Sequence, residues 1–113
     1  MMSGDPIVAI RVPYASWYRS GYKGIEGRIE ITPDYFIFKR NVHPALKPFG
    51  KVIKAWSEEE LCSIKLTDIV DCVDAAIGKE RRLELTVAGG RRYLFGTIKI
   101  ETIIKYIQQR QQQ

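Results

Sequence analysis

The chain has 113 residues, of which 45% are apolar and 27% charged. That is room for one packed core, and it is neither a disordered nor a membrane-embedded composition. No apolar stretch approaches the roughly 20 residues that span a bilayer. Residues 1–5 lack the basic-then-apolar order of a cleaved signal, so the expectation is one cytoplasmic domain over residues 1–113. The net charge of +5 is unevenly spread. Residues 39–54 hold Lys39, Arg40, Lys47, Lys51 and Lys54 with no acid. Residues 58–74 hold Glu58, Glu59, Glu60, Asp68, Asp71 and Asp74 against Lys65 alone, and Lys79, Arg81, Arg82, Arg91 and Arg92 turn the balance basic again. Such blocks either steer an anionic partner or simply solvate strand surfaces.

In chain order, residues 7–12 form a short β-branched run that Pro13 should end, since proline gives nothing to a sheet ladder. A loop rich in aromatics and turn formers is expected over residues 14–24. Residues 25–31 then alternate, with Ile25, Ile29 and Ile31 on one face and Glu26, Arg28 and Glu30 on the wet one. Thr32-Pro33-Asp34 makes a turn, and residues 35–40 return as the second strand of a hairpin. Pro44, Pro48 and Gly50 interrupt the next segment. Phe49, Val52, Ile53 and Trp56 fall at helical spacing, although a strand over residues 51–56 fits as well. Either way residues 41–60 are a long insertion of a functional kind, with a solvated turn at Glu58-Glu59-Glu60.

Residues 61–66 alternate again, and Thr67-Asp68 leads into a strand over residues 69–73. Residues 75–79 are a loop. Leu83, Leu85 and Val87 share one face of the next strand, and Gly89-Gly90 is a hairpin signal before the strand over residues 91–95. Thr97 is a candidate helix N-cap. Ile100, Ile103, Ile104 and Ile107 make one apolar stripe about three turns long. Burying them on the sheet contributes on the order of 1.5–3 kcal/mol each. The glutamine-rich tail from Gln108 should fray, and its abrupt polar end suggests excision from a longer chain.

Little in the chain is catalytic. His43 is the one histidine, and no His-x-x-x-His, Cys-x-x-Cys or Gly-x-Ser-x-Gly pattern occurs. No helix starts behind Gly89-Gly90 to make a phosphate cradle, and the glutamate triplet lacks the spacing of a calcium loop. No enzyme, cofactor or metal is expected. Cys62 and Cys72 sit within apolar patterning, as buried reduced thiols or, less in keeping with that pattern, as a cross-strand disulfide.

Seven short antiparallel strands closed by one amphipathic helix resemble the PH-like order, an α+β, mainly β fold in which a curved split barrel is capped by a C-terminal helix. Residues 27–38, Gly-Arg-Ile-Glu-Ile-Thr-Pro-Asp-Tyr-Phe-Ile-Phe, resemble the GRAM-type hairpin. Ile64-Lys65-Leu66-Thr67-Asp68-Ile69-Val70 is similar to the GRAM step into the second sheet, and Arg92-Tyr93-Leu94-Phe95 to the strand end before the helix. Asp74-Ala75-Ala76-Ile77-Gly78-Lys79 resembles the corresponding turn of the GLUE domain of ESCRT-II. That resemblance implies an adaptor in ESCRT-type membrane trafficking that binds ubiquitin or another protein, and in some members phosphoinositide.

Three binding functions follow as expectations. A protein partner would meet Cys72, Val73, Asp74, Ala75, Ala76 and Ile77 with Ile104 and Gln108 of the helix, unless Val73, Ala75 and Ile77 merely fill core. A phosphoinositide or other anionic membrane surface would meet Lys39, Arg40, Lys47, Lys51, Lys54 and Trp56, with Lys23 and Arg28 adding to them. Trp17 and Tyr18 would then reach the interface or equally lie in the core, and the domain would sit peripherally on the membrane. Nucleic acid could stack on the aromatics interleaved with basic residues over 14–28, but no single-strand-binding fingerprint is present.

Overall fold

The computed structural model describes residues 7–20, 23–40, 59–76 and 78–112. The strands are β1 (Ile10–Ser20), β2 (Lys23–Ile31), β3 (Tyr35–Arg40), β4 (Glu59–Lys65), β5 (Ile69–Asp74), β6 (Arg82–Val87) and β7 (Arg92–Gly96). One helix, α1 (Ile100–Gln111), follows them. All pairings are antiparallel in the order β4-β3-β2-β1-β7-β6-β5. Among the described residues β4 and β5 do not meet, so the sheet is open and its gap is bounded by two edge strands. This is the expected strand count, order and single C-terminal helix.

The period-2 alternation of each strand sends one set of side chains inward. Val12, Ile29, Ile31, Phe36, Phe38, Leu83, Leu85 and Phe95 are wholly buried there. Ile100, Ile103 and Ile107 of α1 are equally buried, with Ile104 half-buried at the flank of the stripe. Phe36 and Phe95 lie 4.9 Å apart, and Trp17 joins them edge-on to Phe38 at 5.9 Å. Cys62 and Cys72 are not joined in a disulfide and lie buried at the margin of this core. Gly89 and Gly90 take φ of 97° and 91°, the left-handed values that a tight β6–β7 hairpin asks for and that side chains resist.

Several local expectations are corrected. The first strand does not end at Pro13. It begins at Ile10 and continues through residues read as loop to Ser20. The β1–β2 register shifts between Val12 and Ala15, and that bulge absorbs a residue with no N–H to offer. Beyond it Ala15 and Trp17 resume the inward face. Glu59 and Glu60 are not a turn but open β4, in register with Arg40 and Lys39. Leu66 leaves the strand for a single 3-10 turn over Leu66–Asp68.

Thr97 does not cap the helix. Lys99 holds the N-cap position in a left-handed conformation, φ 61°, while the Thr97 hydroxyl donates to the Ile98 carbonyl at 3.0 Å. Nor does the tail fray at Gln108. The Gln111 side-chain amide donates to the Leu66 carbonyl at 2.8 Å and to that of Ile69, and Arg110 Nε donates to the Pro33 carbonyl at 3.0 Å. These bonds hold the last turn of α1 to both the β2–β3 turn and the start of β5. The insertion carrying Lys47, Phe49, Lys51, Lys54 and Trp56 lies outside the described residues, as do His43 and Ile77.

Candidate functional site

The register decides which connections share an end of the sheet. Tyr18 pairs with Leu94, so the last residues of β1 lie beside the first of β7. The β1–β2 turn after Ser20 and the β6–β7 turn at Gly89-Gly90 therefore sit next to each other. Arg40 pairs with Gly27 and Glu59, so β3 also finishes, and β4 begins, toward this end. Arg40, Arg91 and Arg92 are exposed at it. Arg91 lies over the Tyr93 ring at 5.0 Å. Lys23 is the first residue of β2 at the same end.

Two of the expected cations are otherwise engaged. Glu30 was placed on the wet face, yet it is only 6% exposed because three basic side chains close over it. Lys39 Nζ lies 3.0 Å from Glu30 Oε1, Arg28 Nε 3.1 Å from Oε2, and Arg11 Nε 3.4 Å from the same oxygen. Burial pushes the Glu30 pKa up, but the hydrogen bonds and charges of Lys39 and Arg28 prevail and hold it below the ordinary carboxylate value. Arg28 and Lys39 thus belong to an internal cluster on the outer face of β1–β3.

Two of the candidate aromatics, Trp17 and Tyr18, are also committed. Trp17 is buried against Phe38 and Phe95. Tyr18 lies flat across Gly24 of β2 and Gly96 of β7, where an added Cβ would come within 3.0 Å of its ring, and Arg82 covers it at 4.6 Å. Neither ring stands out for stacking, whereas Tyr14 of the same stretch is 83% exposed.

The second candidate region is assembled by the fold. β5 ends the sheet on one side and α1 packs against it, so the segment from Cys72 and the helix positions Ile104 and Gln108 belong to neighbouring elements. Cys72 itself is buried, and burial followed by the Asp71 charge raises its thiol pKa. Val73 is 38% exposed and Val70 65%, so neither fills core. Asp71, Asp74, Ala76 and Gln108 are exposed, while Ala75 and Ile104 are half-buried. Asp74 pairs with Arg81 at 3.3 Å.

Sequence reasoning missed Arg91 and Arg92 as neighbours of the β1–β2 turn, and Val70 as part of the exposed edge. The usable signal was the Gly-Gly hairpin. Once β1 is carried past Pro13, that hairpin must lie beside the end of β1. Among the described residues no cluster of three His, Cys, Asp or Glu could hold a metal ion, and no helix is long and apolar enough to cross a membrane.

No family model and no curated protein matches the chain. Solved structures do. The C-terminal PH domain of pleckstrin, in complex with D-myo-Ins(1,2,3,5,6)P5, matches with TM-score 0.63 at 16% identity, covering 95% of this chain and 98% of that one. The DH/PH domains of p115-RhoGEF match with TM-score 0.69 at 8% identity over 95% of this chain, which spans 31% of that longer one. The C-terminal domain of an unknown protein from Leishmania infantum matches with TM-score 0.68 at 11% identity, covering 96% and 86%. At these identities the likeness speaks for architecture alone, and the architecture it shows is that of a PH-like domain.

Proposed function

We propose that this chain is a non-catalytic docking domain whose loop-bearing end holds a polyanionic surface, with a phosphoinositide-containing membrane as its natural form. The observation that carries the reading is the register of Tyr18 with Leu94, because it sets the end of β1 beside the β6–β7 turn, toward the end at which β3 also finishes. Arg40, Arg91 and Arg92 supply exposed cations there. Lys47, Lys51 and Lys54 fall in the sequence between β3 and β4. The inositol phosphate carried by the pleckstrin PH domain shows that a fold of this kind accommodates such a ligand.

Each basic residue near an acidic leaflet is worth about 1 kcal/mol. Replacing Arg91 and Arg92 together with glutamate removes about 2 kcal/mol or more, roughly a 30-fold loss of vesicle affinity. Co-sedimentation with phosphoinositide-containing vesicles at low and high salt measures it. Unchanged pelleting of the double variant would sink the reading.

A second reading, docking of a protein through β5 and α1, is favoured by the exposure of Val70 and Val73 on the edge strand. Ubiquitin is the partner that the GLUE resemblance implies. Titration with ubiquitin should move amides of residues 72–79 and of the last helix, and their silence at millimolar ubiquitin would remove it.

A further inference from the structure

We infer that the free edge of β5 is a strand-addition site for an extended, basic polypeptide segment, a mode of binding that rests on the second reading above and specifies it. Among the described residues β5 pairs with β6 alone. The Ala75 N–H donates to the Arg82 carbonyl at 2.7 Å. With Asp74 opposite Leu83 and Val73 opposite Glu84, alternation along the ladder turns the backbone groups of Val73 and Asp71 toward β6. The N–H and C=O of Cys72 and Asp74 therefore point out of the sheet along its open edge. The edge has a definite start. Gln111 of α1 donates to the Ile69 carbonyl, and the β5–β6 register breaks between Ile69 and Asp71. Among the described residues, what is left open is the stretch from Val70 to Asp74, bordered by α1.

The chemistry of the occupant follows from the side chains. Asp71 and Val73 are on the outer face, in register with Thr86 and Glu84 of β6. Both Asp71 and Asp74 are exposed, and no lysine or arginine occurs between Lys65 and Lys79. An incoming strand places side chains directly opposite these positions. Lysine or arginine beside Asp71 and Asp74, and a β-branched residue beside Val73, complement the edge. A glutamate-rich or aspartate-rich strand is repelled. The Asp74–Arg81 pair is half-exposed, so an incoming cation displaces it at small cost.

The probe is a capped peptide repeating lysine-valine-valine, which sets lysine opposite Asp71 and Asp74 and valine opposite Val73, added to the isotope-labelled chain and followed by amide shifts and hydrogen exchange. Two further versions carry N-methyl groups on alternate residues, one set on odd and one on even positions. Strand addition predicts slowed exchange at the Cys72 and Asp74 amides. It also predicts at least tenfold weaker binding for one methylated version and near-normal binding for the other, since only one set faces β5. Replacing lysine by glutamate in the peptide should abolish binding. Asp74→Pro should abolish it too, because it deletes an outward N–H while sparing the ladder to β6, whereas Asp74→Asn should weaken it only a fewfold. Equal binding by both methylated peptides, with shifts still on β5 and α1, overturns strand addition while leaving protein docking in place. No shift on either element at millimolar peptide overturns strand addition as well, and ubiquitin titration then decides docking separately.

Discussion

Glu30→Gln tests the least expected feature of the sheet surface. The substitution keeps the side-chain shape and removes the charge on which Arg11, Arg28 and Lys39 converge. Lys39 and Arg28 are 21% and 17% exposed, so both remain held against the amide that replaces the carboxylate. That amide accepts through its oxygen alone and turns a second donor toward the cations. A hydrogen bond to a charged group contributes about 1.5–3 kcal/mol, and a neutral acceptor recovers about half of it. Arg11, at 62% exposure, adds little. The expected loss at pH 7 is about 2 kcal/mol, which lowers the urea midpoint by about 1 M for a slope near 2 kcal/mol/M.

The pH dependence gives the experiment its second readout. The folded pKa of Glu30 lies below its ordinary value of 4.5. Its ionised form therefore stabilises the fold fully above that value, and the contribution disappears as pH falls through the folded pKa. Urea midpoints of the wild type and of Glu30→Gln, measured from pH 7 downward, should stay a constant distance apart until about pH 5 and then converge. Other carboxylates titrate in both proteins and cancel in the difference. A variant as stable as the wild type at pH 7, or a gap unaffected by acid, would refute the account of Glu30 as a carboxylate sustained by its cations.

Lys99→Gly should raise stability by about 0.5–1 kcal/mol, because Lys99 holds a left-handed conformation that glycine adopts without strain; a lowered thermal midpoint would contradict this. Gly27→Ala should cost several kcal/mol or prevent folding. An added Cβ would stand 2.2 Å from the Lys39 carbonyl oxygen, a backbone atom that moves only if β3 moves; an unchanged melting curve rules that out. The Cys72 thiol, with its pKa raised by burial and then by Asp71, should alkylate slowly at pH 8 in the folded protein and rapidly in urea. Mass spectrometry of the labelled peptide reads the ratio, and equal rates would show the thiol to be accessible.

The features legible in the sequence were those that strict periodicity controls. Residues 25–31 alternate, residues 35–40 return from the Thr32-Pro33-Asp34 turn, and they form β2 and β3 as expected. The isoleucine stripe specifies the buried face of α1, and Gly89-Gly90 specifies the β6–β7 turn. Reading failed where a local breaker met a tertiary remedy. Pro13 argues for a strand end, but the bulge after Val12 accommodates it and the inward face resumes at Ala15. Gln111 argues for a frayed end, but its amide finds the Leu66 and Ile69 carbonyls, more than 40 residues away in the chain. Thr97 has the chemistry of a cap, yet its hydroxyl turns to the adjacent carbonyl and Lys99 takes the position. The candidate site suffered from the same cause. With β1 stopped at Pro13, nothing could reveal that Arg91 and Arg92 stand beside the β1–β2 turn. Glu30 looked solvated because alternation reports which face a side chain takes, not how far its neighbours reach over it.

Charge along the second half of the sheet separates the two proposed docking surfaces, and the register shows how sharply. Arg92 lies opposite Thr86, and Thr86 opposite Asp71, so one row crosses from the basic end to the acidic edge. Adjacent strands are about 4.8 Å apart, which puts those backbones roughly 10 Å from each other, close to the Debye length at physiological ionic strength. Asp71 therefore still feels Arg92. Asp74, three residues further along β5, lies roughly another 10 Å away and is screened from it. On the proposed reading, an anionic membrane drawn to Arg91 and Arg92 would be repelled from the far end of β5, which would tilt that edge away from the lipid. The proposed arrangement would leave Cys72 and Asp74, the residues whose backbone groups face outward, as the part of the edge open to a protein with the opposite end occupied.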